Sequence, residues 1–330
     1  MKITITNKSA VANPADIFLM LTGDNFTGSG ITIGTPTPLS SLTNNSFDVT
    51  RIDSGRLYIS YYTKLPKNPA PTSNNYYGYI ELTLGTNNVL WTDLSSVDVF
   101  GVPIAMTIGS HKLGYSKSHN TIVKNIATAL GGTNGAAVQR KNGKGNTKVV
   151  GANVLFANQP PYDAYLKTLQ GKPLTIKNVP SSPITYDFTG SFTNKGGISL
   201  TSTSPKLTFE IPATDLNNKT IYLSNGNCVY NGKPRNAMFP NDVCAAVYRD
   251  IMVGINEGYF SAKGPNDSSL FPKMTPFKNG HGNVYAKLIH EGSDSYGYPF
   301  SDKNLKTLIQ VPVTNTSNLE LTILEDDKIS

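Results

Sequence analysis

Charge is what this chain has least of. Asp, Glu, Lys and Arg make up 15% of its 330 residues, against roughly a quarter in ordinary globular proteins. Asn, Thr, Ser, Gly, Pro and Tyr fill the gap, as in secreted β-proteins and on surfaces that face sugars. Histidine is scarce at four residues and cysteine at two, so a zinc site has little support and no metal or other cofactor is expected. No apolar run reaches the 18 residues of a membrane span, and no membrane partner is expected. The N-terminal Met1-Lys-Ile-Thr-Ile-Thr-Asn7 alternates like a strand and lacks the layout of a signal segment. The composition nevertheless points outside the cell.

The formal net charge is +7, which serves solubility or attraction to an anionic surface. Nucleic acid is not an expected partner. The one basic cluster, Arg140-Lys-Asn-Gly-Lys144 with Lys148, has no aromatic residues interleaved for base stacking. The same segment lacks the glycine spacing of a phosphate loop. Cys228 and Cys244 are either two buried thiols or one disulfide. A bridge closing so short a loop is worth about 3 kcal/mol, and the secreted-like composition favours it.

Up to about residue 108 the signals are almost all β. Short alternating runs at Lys2–Asn7, Ile17–Thr22, Leu57–Tyr62, Tyr77–Leu84 and Val97–Ile108 are separated by Pro, Gly, Asn and Ser, as in a sandwich or barrel. Helical spacing then predicts helices over 119–130, with Ser118 as cap and Gly131 as stop, over 161–169 and over 240–254. Strands are expected at 184–192, 198–201, 206–211, 220–223, 283–290, 305–311 and 319–324. The Gly/Asn-rich stretch at 131–148 is expected to be mobile. A β-barrel or sandwich domain drawn from 1–110 and 281–330, enclosing a mixed α/β domain at 111–280, is the simplest organisation. A monomer is expected.

Two strand-like runs each carry one acid. In Tyr79-Ile-Glu-Leu-Thr-Leu84, alternation puts Ile80, Leu82 and Leu84 on one face and Tyr79, Glu81 and Thr83 on the other. In Ser96-Val-Asp-Val-Phe100, Val97 and Val99 oppose Asp98. Charge is depleted in strands and costly to bury, so these acids are solvated or ion-paired edge charges, or a working pair. The intervening segment is short enough for a hairpin between the two runs. Two carboxylates on one polar, aromatic-lined face suit glycoside hydrolysis, one as proton donor and the other as nucleophile or base. Directly opposed residues have Cβ atoms about 5 Å apart and diagonal ones about 7–8 Å, so pairing alone leaves both retention and inversion open. The single tryptophan, Trp91, either anchors the core or stacks on sugar.

Glu81-Leu-Thr followed by Trp91-Thr-Asp-Leu-Ser-Ser-Val-Asp-Val-Phe-Gly-Val-Pro103 resembles the signature of glycoside hydrolase family 64. These are the laminaripentaose-producing β-1,3-glucanases of the thaumatin-like superfamily. Arg56-Leu-Tyr-Ile-Ser60, Tyr162-Asp-Ala-Tyr165, the segment from Cys228 to Ala246, and Tyr285 to Phe300 with His290-Glu291 agree in order and spacing. The resemblance implies a thaumatin-like β-barrel or sandwich domain and a mixed α/β domain flanking a wide groove. It implies inverting hydrolysis of β-1,3-glucan to short laminari-oligosaccharides, with Glu81 as general acid and Asp98 as general base. Sugar contacts would fall on Thr83 and Trp91, on Ser95, and on Asn87 or its neighbour Asn88. It also pairs Cys228 with Cys244. Ser301-Asp-Lys303 departs from the family's usual acidic pair. A thaumatin-like module that binds β-glucan without cutting it is the alternative, to which a missing acid would have pointed.

Overall fold

The computed structural model describes residues 1–131, 139–178, 185–236, 242–303 and 306–330, with only the backbone of 139–141. The sequence expectations for 132–138, Ile184, Pro240 and Leu305, and for the side chains of Arg140 and Lys141, lie outside the described residues. Along the chain the strands and helices are β1 (Lys2–Asn7), β2 (Ile17–Ser29), β3 (Thr37–Pro38), β4 (Ser46–Tyr61), β5 (Tyr77–Leu84), β6 (Val89–Ser95), β7 (Val99–Phe100), β8 (Ile104–Ile108), β9 (His111–Leu113), α1 (His119–Leu130), β10 (Gln139–Lys141) and β11 (Thr147–Val150). There follow α2 (Asp163–Leu169), β12 (Pro173–Lys177), β13 (Asp187–Phe192), β14 (Ile198–Thr203), β15 (Lys206–Ile211), α3 (Asn218–Leu223), β16 (Asn227–Tyr230), β17 (Lys233–Asn236), α4 (Val243–Asn256), α5 (Val284–His290), β18 (Leu308–Pro312) and β19 (Asn318–Ile323). The chain is mainly β with an α/β part.

It divides into two compact units. The first comprises Met1–Val154, Leu288–Gly297 and Leu305–Ser330, and the second Leu155–Lys287 with Tyr298–Asn304. The first is built on a sheet in the order β18-β6-β5-β4-β1-β19-β8-β9, with β2 also paired to β4. Both ends of the chain meet there, because β19 runs parallel beside β1. The alternating apolar residues Leu57, Ile59, Ile80, Leu82, Leu84, Leu90 and Leu94 are buried, and together they anchor the sheet's inner face. The second unit has an antiparallel sheet ordered β12 to β17 in sequence. Helix α4 lies against β12 and β16. Its apolar residues Val247, Ile251 and Ile255 are buried, and Asp242 caps its first turn by accepting from the amide of Ala245.

Several boundaries differ from the sequence expectation. The β unit runs on to residue 154 instead of stopping at 110, because β11 pairs with β7 and His119 of α1 stacks on Phe100 at 4.7 Å. The run 97–108 is two strands in different sheets, β7 and β8, interrupted at Gly101-Val-Pro103; proline cannot donate to a ladder. Residues 220–223 are helical. Asn217 accepts from the amide of Thr220, and the Thr220 hydroxyl accepts from the amide of Asn217, a capping box that outweighs the β-branched composition. Residues 284–290 are likewise helical, with Asn283 accepting from the amide of Ala286.

Candidate active site

The hairpin that carries Glu81 is tighter than the sequence suggested. Residues 85–88 turn the chain, with Asn88 at φ 56° and the Asn87 side chain accepting from the Val89 amide at 3.2 Å. The returning strand therefore begins at Val89, and the partner of β5 is β6, not the run around Asp98. Leu90, Thr92 and Leu94 face the core, leaving Trp91, Asp93 and Ser95 on the face of Thr83, Glu81 and Tyr79, their respective opposites. On the other side of β5, Arg56 of β4 stands opposite Glu81 and Tyr58 opposite Tyr79. One end of this face is closed: Tyr58, Tyr77 and Tyr79 pack with Met20, Leu65 and Val99. The other end opens into a depression of about 340 Å³ lined by Arg56, Glu81, Thr83, Trp91 and Asp93, among others.

Asp98 reaches this face from the bend between β6 and β7, held by its own backbone and side-chain contacts. The amide of Gly151 donates to its carbonyl at 2.8 Å. Gly151 has no alternative there, since a Cβ would lie 2.0 Å from the carbonyl of Val97. Asn153 donates to Asp98 Oδ1 at 2.9 Å and the Tyr79 hydroxyl to Oδ2 at 3.2 Å. The amide of Asp98 in turn donates to the Tyr79 oxygen at 3.3 Å. Burial holds the Tyr79 phenol well above its ordinary pKa, so it stays neutral as donor.

Arg56 joins the two acids. Its Nε donates to Glu81 Oε1 at 2.8 Å and its Nη1 to Asp98 Oδ2 at 3.1 Å. The guanidinium carbon also sits 5.1 Å from the Tyr79 ring centre, a cation–π contact that steadies it. All three charged groups are half-buried. Burial raises the Glu81 carboxyl above its ordinary pKa, Arg56 opposes this, and the Asp98 charge adds to the rise.

The sequence candidates thus separate. Glu81 and Asp98 share one cation, and Thr83 and Trp91 line the depression beside them. Trp91 is 42% exposed, so it is no core anchor. Asn87 sits in the exposed turn, engaged with Val89, and Ser95 is buried opposite Tyr79; neither lines the depression. His290 is half-buried, and desolvation lowers its pKa to about 3, leaving it neutral, while Glu291 pairs with Lys117 at 3.8 Å. Cys228 and Cys244 are buried free thiols, with sulfurs 2.8 Å apart, in place of the expected bridge. The sequence reading gave no role to Arg56, Asn153 or Asp93. Arg56 and Asp93 had a signal, since each is a charge within an alternating apolar run; Asn153 had none. Among the described residues no acidic or His/Cys cluster is arranged to hold a metal ion.

A family model described as beta-1,3-glucanase, that of glycoside hydrolase family 64, matches residues 24–317. The chain belongs to glycoside hydrolase family 64. It is accordingly a glycoside hydrolase acting on β-1,3-glucan. Among solved structures, it is similar to a laminaripentaose-producing β-1,3-glucanase in complex with laminaritetraose, with TM-score 0.69 and 18% identity over 99% of each chain. It is also similar to a family 64 β-1,3-glucanase domain from Clostridium beijerinckii, with TM-score 0.61 and 12% identity over 98% of each chain. A third likeness is to the family 64 laminaripentaose-producing enzyme of Paenibacillus barengoltzii, with TM-score 0.55 and 15% identity over 98% of this chain and 74% of that one. At these identities the likeness carries the fold. No curated protein matches the chain.

Proposed function

We propose that this family 64 enzyme cleaves β-1,3-glucan by a single displacement with inversion, releasing short laminari-oligosaccharides. Glu81 protonates the departing glycosidic oxygen, and Asp98 takes a proton from the water that attacks the anomeric carbon. The observation that carries this reading is the pair of acids held by different nitrogens of one guanidinium. In a planar guanidinium these nitrogens point apart, so oxygens bonded to them in its plane lie roughly 6–8 Å from each other. Inverting enzymes separate their carboxyls by about 6.5–9.5 Å and retaining ones by about 5–5.5 Å.

The surroundings of Glu81 also suit a proton donor. Burial favours the protonated form of Glu81, and a glucan in the depression would strip more water from it. Asp98 accepts from Asn153, Tyr79 and Arg56, which fix its carboxylate in place beside the depression. Trp91 offers a ring face to a glucosyl unit, with Thr83 beside it as a hydroxyl partner. The sparing use of charge suits an extracellular monomer working on a neutral polysaccharide, which cell fractionation and size-exclusion chromatography would check. Turnover of Glu81→Gln and Asp98→Asn on laminarin tests the assignment. Both should fall by about 100-fold or more, and near-normal turnover in either variant removes that residue from the mechanism.

A further inference from the structure

Glu81 has a second acid beside it that the assigned chemistry does not use. Asp93 stands directly opposite Glu81 in the β5–β6 ladder, which sets their Cβ atoms about 4.5–5.5 Å apart. Both strands are paired on their far edges as well, β5 with β4 and β6 with β18, so this separation is fixed by the sheet. Asp93 lines the same depression as Glu81, Arg56 and Trp91, although it is itself 6% exposed. Across four strands one row reads Leu308, Asp93, Glu81, Arg56. The proposed proton donor thus has a cation on one side and an acid on the other.

We propose that Asp93 is a positioning residue that acts through Glu81, keeping the proton on it until the glycosidic oxygen arrives. This rests on the reading of Glu81 as proton donor. The groups facing Glu81 are Arg56 from β4, Asp93 from β6, Asp98 from the bend beyond β6, and Tyr79 and Thr83 from its own strand. Against burial and the Asp98 charge, which favour the protonated form, Arg56 draws Glu81 towards its ionised form, a poor state for an acid catalyst. Its charge is shared with Asp98, however, and a carboxylate directly across the ladder opposes the loss of the Glu81 proton, because two acids in one site do not both ionise freely.

The test is the pH profile of kcat/KM on laminarin for the native enzyme, Asp93→Asn and Asp93→Glu, with Glu81→Gln alongside. Asp93→Asn should keep its activity on the acid side and lose about tenfold on the alkaline side, where Glu81 now gives up its proton sooner. Asp93→Glu should keep the native profile. An equal loss at every pH, or a raised KM with an unmoved alkaline limb, would make Asp93 a sugar contact and overturn the proposal. Should Asp93→Asn fail to fold, NMR titration of the native side-chain carboxyls decides: Glu81 must titrate in two steps coupled to Asp93, and a single uncoupled step overturns the proposal. Near-normal turnover in Glu81→Gln would instead sink the donor reading itself, whereas a dead Glu81→Gln with an unshifted Asp93→Asn profile sinks only the role of Asp93.

Discussion

Each unit of the chain holds a knot of acids, cations and tyrosines, and the two knots differ in their access to water. In the first, Glu81, Asp98 and Arg56 meet over Tyr79 and remain half-open to solvent. In the second, Asp250 accepts from Tyr186 at 2.6 Å and pairs with Lys303 at 3.0 Å, while Glu257 accepts from Tyr298. There Asp250 is 1% exposed and Glu257 fully buried. Similar ingredients therefore do different work. Half-open ion pairs add little to stability, and their atoms stay within reach of a substrate. A closed knot cannot meet a substrate, and breaking one partner strands a buried charge, a strongly destabilising change.

The sharpest way to break this comparison is to exchange the consequences. Asp250→Ala should destabilise the second unit by about 3–5 kcal/mol, because it leaves Lys303 without its buried partner. Glu81→Gln should leave the melting temperature nearly unchanged while abolishing turnover. Calorimetry of both variants checks the pair, and a stable Asp250→Ala would erase the contrast.

The closed knot should also show in the pH dependence of stability. Burial raises the Glu257 carboxyl to about 7, whereas in the unfolded chain it titrates near 4.3. The native state thus binds this proton more tightly. Its contribution is fully present below about pH 4.3 and is lost as pH rises through 7. Between pH 5 and pH 8 unfolding should become easier by about 2–3 kcal/mol from this group alone, and Glu257→Gln should flatten that slope in denaturant titrations. A native slope that Glu257→Gln leaves unaltered would assign it to other groups.

Two smaller effects refine the open side. Trp91→Ala should weaken binding of laminari-oligosaccharides by about 1–3 kcal/mol in calorimetric titration with little change in melting, since the ring is already 42% exposed. Loss of stability with unaltered affinity would return Trp91 to the core. Arg56→Met removes the cation that opposes protonation of Glu81, so the alkaline limb of kcat/KM should move to higher pH; a move to lower pH would mean that Arg56 is not setting the charge of Glu81. As for the cysteines, intact mass without reduction reads two thiols as the structure has them, or a mass lower by about two hydrogens if the bridge forms on oxidation.

What was legible in the sequence was local. Period-two alternation put Glu81 on one face of β5 with Tyr79 and Thr83, and Lys206–Ile211 forms the strand its pattern indicates. Ser118 and Gly131 bracket α1 as cap and stop. The face that matters, however, is assembled over distance. Arg56 meets Asp98 across 42 residues of chain and Asn153 meets it across 55, and no periodicity reports such meetings. The hairpin partner of Glu81 is Val89–Ser95 and not the run around Asp98, because Val89–Ser95 also alternates and lies nearer along the chain. Helices α3 and α5 were missed because one side chain at each N-terminus outweighs β-rich composition. The closed knot gave no signal, since Glu257 follows the last turn of α4 and meets Tyr298 only through the fold.

The central claim is that Glu81 and Asp98 act from opposite sides of the scissile bond, with water between base and sugar. Proton NMR of the first product released from linear β-1,3-glucan tests this most directly, read before mutarotation sets in. An α-anomeric product is the expected result. A β-anomeric product would mean retention, and would contradict the assignment of Asp98 as base.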